Sequence, residues 1–202
     1  MQVNQTFYDL MADKFLNQYQ RSPHRYHHMQ KERDRFLELL PYGLILDAGC
    51  GSGVQSKELS EMGYKLAGID IAHNQLKNAS ILNPNLVFAE MNLLSLGFKN
   101  EVFDGVWANA LLIHVNHADI KQAVRELYRV LKPKGIGYIS FKIAEVKPKQ
   151  DLRSATFYYS LEEMLEVSYE VGFEVVDSYE YNENERVKRD RQVRWGVLFL
   201  RK

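Results

Sequence analysis

The chain is 202 residues long, 46% hydrophobic and 26% charged, which suits an ordinary globular protein with one domain and a sizeable core. Lys+Arg and Asp+Glu balance at 26 each, so no overall field gathers nucleic acid or an anionic membrane. The single cysteine, Cys50, excludes an internal disulfide and any cysteine-rich zinc site, and no apolar run has the length of a membrane span. The N-terminal stretch lacks a signal-peptide pattern, so the expectation is a cytoplasmic protein of one domain over 1–202.

Phe7, Leu10, Met11 and Phe15 fall at helical spacing and predict an amphipathic first helix. A polar stretch follows with His24, His27 and His28; no cysteine or paired acid at ligand spacing accompanies them, so a solvated or lid segment is expected and no metal. A second helix over 31–40 stops at Pro41 and Gly43. Residues 1–40 thus form a helical lid, and 41–202 an α/β core.

In that core, strand and helix signals alternate. Strands are predicted over 44–48, 64–70, 86–90, 102–110 and 136–142, with helices over 54–62 and 73–82. Ile120, Ala123, Val124, Leu127, Val130 and Leu131 mark one face of a further helix, stopped by Lys132-Pro133-Lys134-Gly135. After a polar connection, Ser160 and Glu163 form a capping box for a helix that turns Leu161, Met164, Leu165 and Ser168 inward. Two closing strands, 173–181 and 192–200, read as antiparallel neighbours. The expected fold is α/β: a Rossmann-like, seven-stranded, mostly parallel sheet with helices on both faces and the last strand antiparallel.

Ligands of such sheets bind beyond the carboxyl ends of the strands. There stand Asp47, Asp70, and Glu90 with Asn92. Each also has a plain reading as a turn or capping residue. After Asp47 come Gly49, Gly51 and Gly53, a loop whose backbone can approach a ligand closely, and then a helix start with free amide groups. Asp70, about twenty residues further on, suits a grip on two ribose hydroxyls. The dinucleotide fingerprint needs a glycine where Val54 stands, and Asp47 would repel a pyrophosphate. The same acid favours a cation, so S-adenosylmethionine fits better than NAD.

Several segments together resemble a known family: Leu46-Asp47-Ala48-Gly49-Cys50-Gly51-Ser52-Gly53, Gly68-Ile69-Asp70-Ile71, Phe103-Asp104-Gly105-Val106-Trp107-Ala108 and Leu131-Lys132-Pro133-Lys134-Gly135. In order and spacing they are similar to the motifs of class I S-adenosylmethionine-dependent methyltransferases. The likeness extends to the small bacterial type 11/25 group, including its tellurite-resistance-like members, through Leu111 to Val115 and Ser140-Phe141-Lys142. The resemblance implies that Asp47, Gly49, Cys50, Gly51 and Gly53 line the methionine part of the donor. It implies that Asp70 holds the ribose, that Ile71, Met91 and Asn92 meet the adenine, and that Asn109 and Ala110 lie near the sulfonium. Many members carry an Asp where Glu90-Met91-Asn92 stands here. Tyr8-Asp9-x-x-Ala12 resembles the family's N-terminal Y-D-x-x-A-x-x-Y; Phe15 replaces the second tyrosine, leaving Tyr8 or Tyr19 to supply a hydroxyl.

His114 is the candidate general base, against a plain role in the strand-to-helix turn. Lys142 and Tyr158, with Arg153, Phe157 and Tyr159, are candidates for the acceptor pocket, against a tolerated surface insertion. The basic run Arg186, Lys188, Arg189, Arg191 and Arg194 is expected as a solvated hairpin loop. Cys50 is expected to pack, and Trp107 and Trp195 to sit in the core. The functional expectation is methyl transfer to a small-molecule oxygen, nitrogen, sulfur or chalcogen atom, with no nucleic-acid or membrane partner. The alternatives are an RNA methyltransferase and a non-catalytic S-adenosylmethionine-binding module.

Overall fold

The structure, a computed structural model, describes residues 2–21, 29–143, 156–183 and 193–202. The chain opens with two helices, α1 (Gln2–Arg21) and α2 (Gln30–Leu39). There follow β1 (Leu44–Ala48), α3 (Val54–Glu61), β2 (Lys65–Asp70), α4 (His73–Leu82), β3 (Val87–Glu90) and β4 (Phe103–Ala108). After a 3-10 turn (Leu112–His114) come α5 (Ile120–Val130), β5 (Leu131–Lys142), α6 (Leu161–Val171), β6 (Glu174–Asn182) and β7 (Arg194–Arg201).

The strands form one seven-stranded sheet in the order β3-β2-β1-β4-β5-β7-β6. The first five run parallel, and β7 lies antiparallel between β5 and β6. The chain reverses its direction of travel across the sheet between β1 and β4, so a crevice opens at their carboxyl ends. Apolar side chains fill both faces. One carries Leu127, Val124, Ile139, Phe141 and Met164; the other carries Phe36, Leu59, Trp107, Tyr138 and Phe199. Trp107 stacks on Tyr138 with centroids 4.0 Å apart, and Arg33 of α2 pairs with Glu58 of α3 at 2.6 Å. Trp195 is only partly buried.

Several boundaries differ from the pattern read along the chain. Leu131 is not on the α5 face but opens β5, opposite Phe103. The Lys132-Pro133-Lys134-Gly135 stop lies inside that strand as an irregularity: the register with β4 shifts there and Lys134 takes φ 67°. β4 ends at Ala108 because Ala110 turns left-handed, at φ 53°, and donates its N–H to Ser140 Oγ rather than to a strand. Ser160 does cap α6, its hydroxyl accepting from Glu163 N at 3.0 Å, a bond worth about 1 kcal/mol.

In α1 the outward residue is Leu10, 81% exposed, while Ala12 is buried and Tyr8 and Phe15 face inward. The helix is held to α4 by polar bonds. Asp9 Oδ1 accepts from Asn74 N at 2.7 Å and Asp13 Oδ1 from Asn78 Nδ2 at 3.1 Å. No side chain of α4's own cap residue, Ala72, can satisfy those first amides, so Asp9 supplies the missing acceptor and its charge suits the helix N-terminus. Through this bond α1 is set across the carboxyl ends of the strands.

Candidate active site

A cavity of about 370 Å³ lies at the switch point, bounded by the loop after β1, the ends of β2 and β4, the 3-10 turn and the inner face of α1. Its walls bring together Tyr8, Asp47, Gly49, Cys50, Gly51, Asp70, Ile71, Met91, Asn109, Ala110 and His114. Elements more than a hundred residues apart in sequence contribute to it.

The glycine loop is shaped by its backbone. Gly49, Gly51 and Gly53 all have φ between 52° and 74°, a region that side chains other than glycine rarely adopt. A Cβ on Gly51 would meet only Gln75 Oε1, at 3.8 Å, so this glycine borders open space within the cavity. Gly53 does the opposite: a Cβ there would sit 2.9 Å from Ala79 Cβ and 2.7 Å from Asn83 Nδ2, so it lets α3 approach α4 and does not line the cavity.

Asp70 locks this loop. Its Oδ2 accepts from Gly51 N and its Oδ1 from Ala72 N, both at 2.9 Å. Burial pushes its carboxyl up, while these amides pull it back down. Asp47 is 2% exposed, and its Oδ2 accepts a 2.5 Å bond from Ser56 Oγ. Burial raises its pKa to about 7, against the lowering bond from Ser56, and the nearby Asp70 charge adds to the rise. Two carboxyls with little solvent thus face one cavity, an arrangement that becomes favourable when a cation enters. Gln75 supplies another unsatisfied group: it is 2% exposed, and its Oε1 has no hydrogen-bond partner among the described residues.

Across the cavity Tyr8 and His114 are joined, Tyr8 Oη to His114 Nε2, at 2.9 Å. Burial raises the Tyr8 hydroxyl to about 12, with a further push from Asp70. Burial, reinforced by the Lys142 charge, lowers His114 to about 4. Both groups are therefore neutral near pH 7. Asn109 and Ala110 sit between this pair and the glycine loop, tied to Ser140 of β5.

Other expected residues lie elsewhere. Asn92 is outside the cavity wall; its Oδ1 accepts from Leu94 N in a local turn. Glu90 is exposed and faces His73 at 3.5 Å, because β3 borders the sheet and its end opens outward. Lys142 and Tyr158 neighbour each other, Lys142 Nζ lying 6.0 Å from the Tyr158 ring centre and 5.8 Å from that of Trp195, and neither lines the cavity. The Tyr19 side chain, His24, His27, His28, Arg153, Arg186, Lys188, Arg189 and Arg191 lie outside the described residues. Cys50 packs beneath the loop, its Sγ 3.0 Å from where a Cβ on Gly68 would stand; burial and the two aspartates push its thiol up. Gln75, Ser56 and Phe15 were not marked as site residues by the motifs. A polar residue on the inward face of a short helix was the available signal for the first two.

A parallel sheet with a glycine loop after β1, an acid closing β2 and a cavity at the β1/β4 switch defines the nucleotide-binding α/β class, in its methyltransferase form. The methyltransferase domain family of type 11 matches residues 46–139, and over that segment the chain is similar to that family. The chain is 38% identical over 105 residues to the 2-methyl-6-phytyl-1,4-hydroquinone methyltransferase of Synechocystis, covering 50% of this chain and 32% of that protein. It thus spans about a third of that relative's length. Among solved structures, a methyltransferase of Haloferax volcanii in complex with the Trm112 methyltransferase activator superposes with TM-score 0.74 at 19% identity, over 95% of this chain and 96% of that one. TehB from Haemophilus influenzae superposes with TM-score 0.71 at 15% identity, over 85% and 62%. At those identities the likeness is one of fold. Among the described residues, no helix is long and apolar enough to cross a membrane.

Proposed function

We propose that the chain transfers the methyl group of S-adenosylmethionine to a small-molecule acceptor. The observation that carries this reading is the pairing of a buried carboxyl, Asp47, with a half-buried one, Asp70, around a glycine loop whose backbone leaves room for a ligand. When bound, S-adenosylmethionine supplies an activated methyl on a sulfonium. The chain's residues then divide the work of holding and aligning it. Asp70 keeps the second lone pairs of its oxygens for two ribose hydroxyls, because each oxygen already accepts one backbone amide. Asp47 and the open Gln75 oxygen draw the cationic end toward the loop after β1. Ile71 and Met91 offer apolar faces to the adenine.

The acceptor enters from the side roofed by α1. Tyr8 and Phe15 close a cavity of about 370 Å³, which suits a small molecule better than a macromolecular end. His114, held near 4 by burial, is a weak proton acceptor at pH 7, so it suits an acceptor that arrives ionised or as a soft nucleophile. Alignment of nucleophile, methyl and sulfonium then supplies much of the rate. The test is calorimetry with S-adenosylmethionine, followed by donor consumption with thiols, phenols, amines, halides and chalcogen oxyanions. Donor binding with turnover on one of these classes is expected. Binding without turnover on any of them favours the non-catalytic module, and absence of binding overturns the reading.

A further inference from the structure

The wall between the glycine loop and His114 contains one side chain whose orientation is decided from behind. Ala110 N donates to Ser140 Oγ at 2.9 Å, which leaves the Ser140 hydroxyl proton to be given away. It goes to Asn109 Oδ1 at 2.7 Å, and the Tyr138 hydroxyl approaches the same oxygen at 3.4 Å. Both hydroxyls lie against the amide oxygen of Asn109 and not against its nitrogen, and Ser140, already accepting from Ala110 N, has its proton free for that oxygen. Ser140 and Tyr138 are buried, at 1% and 0% exposure, and neither lines the cavity, whereas Asn109 does. The oxygen therefore points into the sheet, and the Asn109 amide nitrogen is the end left to the cavity, with no partner among the described residues. The backbone supports this setting at a cost: Ala110 holds the left-handed φ of 53°, a conformation that non-glycine residues adopt only where surroundings impose it.

We infer that Asn109 is a specificity-determining residue that presents a hydrogen-bond donor to the acceptor, selecting an oxygen nucleophile over an amine. An amine needs an acceptor for its own N–H groups, and the Asn109 oxygen is already spoken for. An oxygen anion offers several lone pairs. One takes the Asn109 N–H while another attacks the methyl carbon; the new O–C bond forms as the C–S bond breaks, its electron pair staying on sulfur. The anion becomes a neutral ether or ester, and the sulfonium becomes a neutral thioether, so charge balances with no proton to remove. Lys142, close enough to depress His114, adds a positive charge on this side of the site. The inference rests on the methyl-transfer reading and narrows it to one acceptor class.

The test compares donor consumption at pH 8 on matched pairs, 4-nitrophenol (largely ionised there) with 4-nitroaniline and benzoate with benzylamine, for the unaltered chain, Asn109→Asp and Ser140→Ala. Calorimetry with S-adenosylmethionine runs alongside. The unaltered chain should favour the oxygen member of a pair by about tenfold or more, since a donor left facing an N–H loses its bond. Asn109→Asp, similar in shape but without an N–H to donate, should abolish that preference while S-adenosylmethionine still binds, no more weakly than before, because the added carboxylate faces a cation. Ser140→Ala, which frees the amide to turn, should narrow it. A preference for the amine, a preference unmoved by both substitutions, or no consumption of any member despite donor binding would overturn the assignment. Loss of donor binding in the unaltered chain would instead sink the methyl-transfer reading itself.

Discussion

The two sides of the cavity are built by different means. On the side proposed for the methyl donor, the groups are fixed close at hand: Asp70 by the backbone amides Gly51 N and Ala72 N, the loop by Gly49 N and Cys50 N on Ile69 O, and Asp47 by the Ser56 hydroxyl in the next helix. On the side proposed for the acceptor, the bonds join distant elements. Tyr8 of α1 meets His114 after β4, and Asn109 is set by Ser140 and Tyr138 of β5. A site fixed by its neighbouring backbone is stiff and writes a short motif; a site assembled across the sheet depends on how whole elements dock.

The largest effect expected on this contrast is at Asp70. Asp70→Ala should weaken S-adenosylmethionine binding by about 1–3 kcal/mol, since a charged hydrogen-bond acceptor is lost and the loop amide of Gly51 is released. Titration calorimetry measures it directly. Unchanged affinity would mean that the glycine loop keeps its shape without the acid, and the ribose assignment would fall.

This division also explains what was legible in the chain. The alternation of strands and helices, and the closing antiparallel pair, follow from apolar periodicity with turn residues between, and the structure has them in the expected order. The Asp47–Gly53 loop and Asp70 were visible for the same reason: their spacing is local. The errors fall where tertiary pairing outweighs local preference. Leu131 has the period of the α5 face but is captured by Phe103 as a strand residue. Asn92 lies outside the cavity wall for a local reason, its oxygen held by Leu94 N two residues on. The Asn109–Ser140 bond spans thirty-odd positions with no periodic signature, so only the fold reveals which end of that amide faces the cavity.

An intermediate effect concerns pH, and it separates the two sides by sign. Asp47 has a folded pKa of about 7 against an ordinary 3.8, so the folded protein holds its proton where the unfolded chain has lost it. Its contribution to stability therefore declines as pH rises through that window. His114 runs the other way: at about 4 against 6.5, its contribution is lost as pH falls from 6.5 toward 4. Between these values the two oppose each other, and near pH 7 Asp47 acts alone. Denaturant unfolding should show that Asp47→Asn stabilises the free protein above pH 7, while weakening S-adenosylmethionine binding there. A cation favours the charged form of Asp47, so donor binding should strengthen from pH 6 to 8 with proton release, read from calorimetry in buffers of different ionisation heat. Asp47→Asn should flatten that dependence. A slope that survives the substitution would move its origin off the donor side.

The smallest effect is expected at Tyr8→Phe, which removes one hydrogen bond between α1 and the wall. The Tyr8–His114 bond at 2.9 Å joins two neutral, largely buried groups, so its loss should cost about 0.5–1.5 kcal/mol in urea unfolding. The helix should nevertheless stay in place, because Asp9 still caps α4 through Asn74 N and Asp13 still holds Asn78. Asp9→Ala therefore makes the sharper comparison: it removes the acceptor at a helix N-terminus and should cost about 0.5–2 kcal/mol, with faster proteolysis within α1. If Tyr8→Phe alone speeds that proteolysis, α1 is held by the residue facing the acceptor rather than by its seat on α4. The acceptor side would then be ordered through its own contacts, and the contrast with the backbone-fixed donor side would narrow.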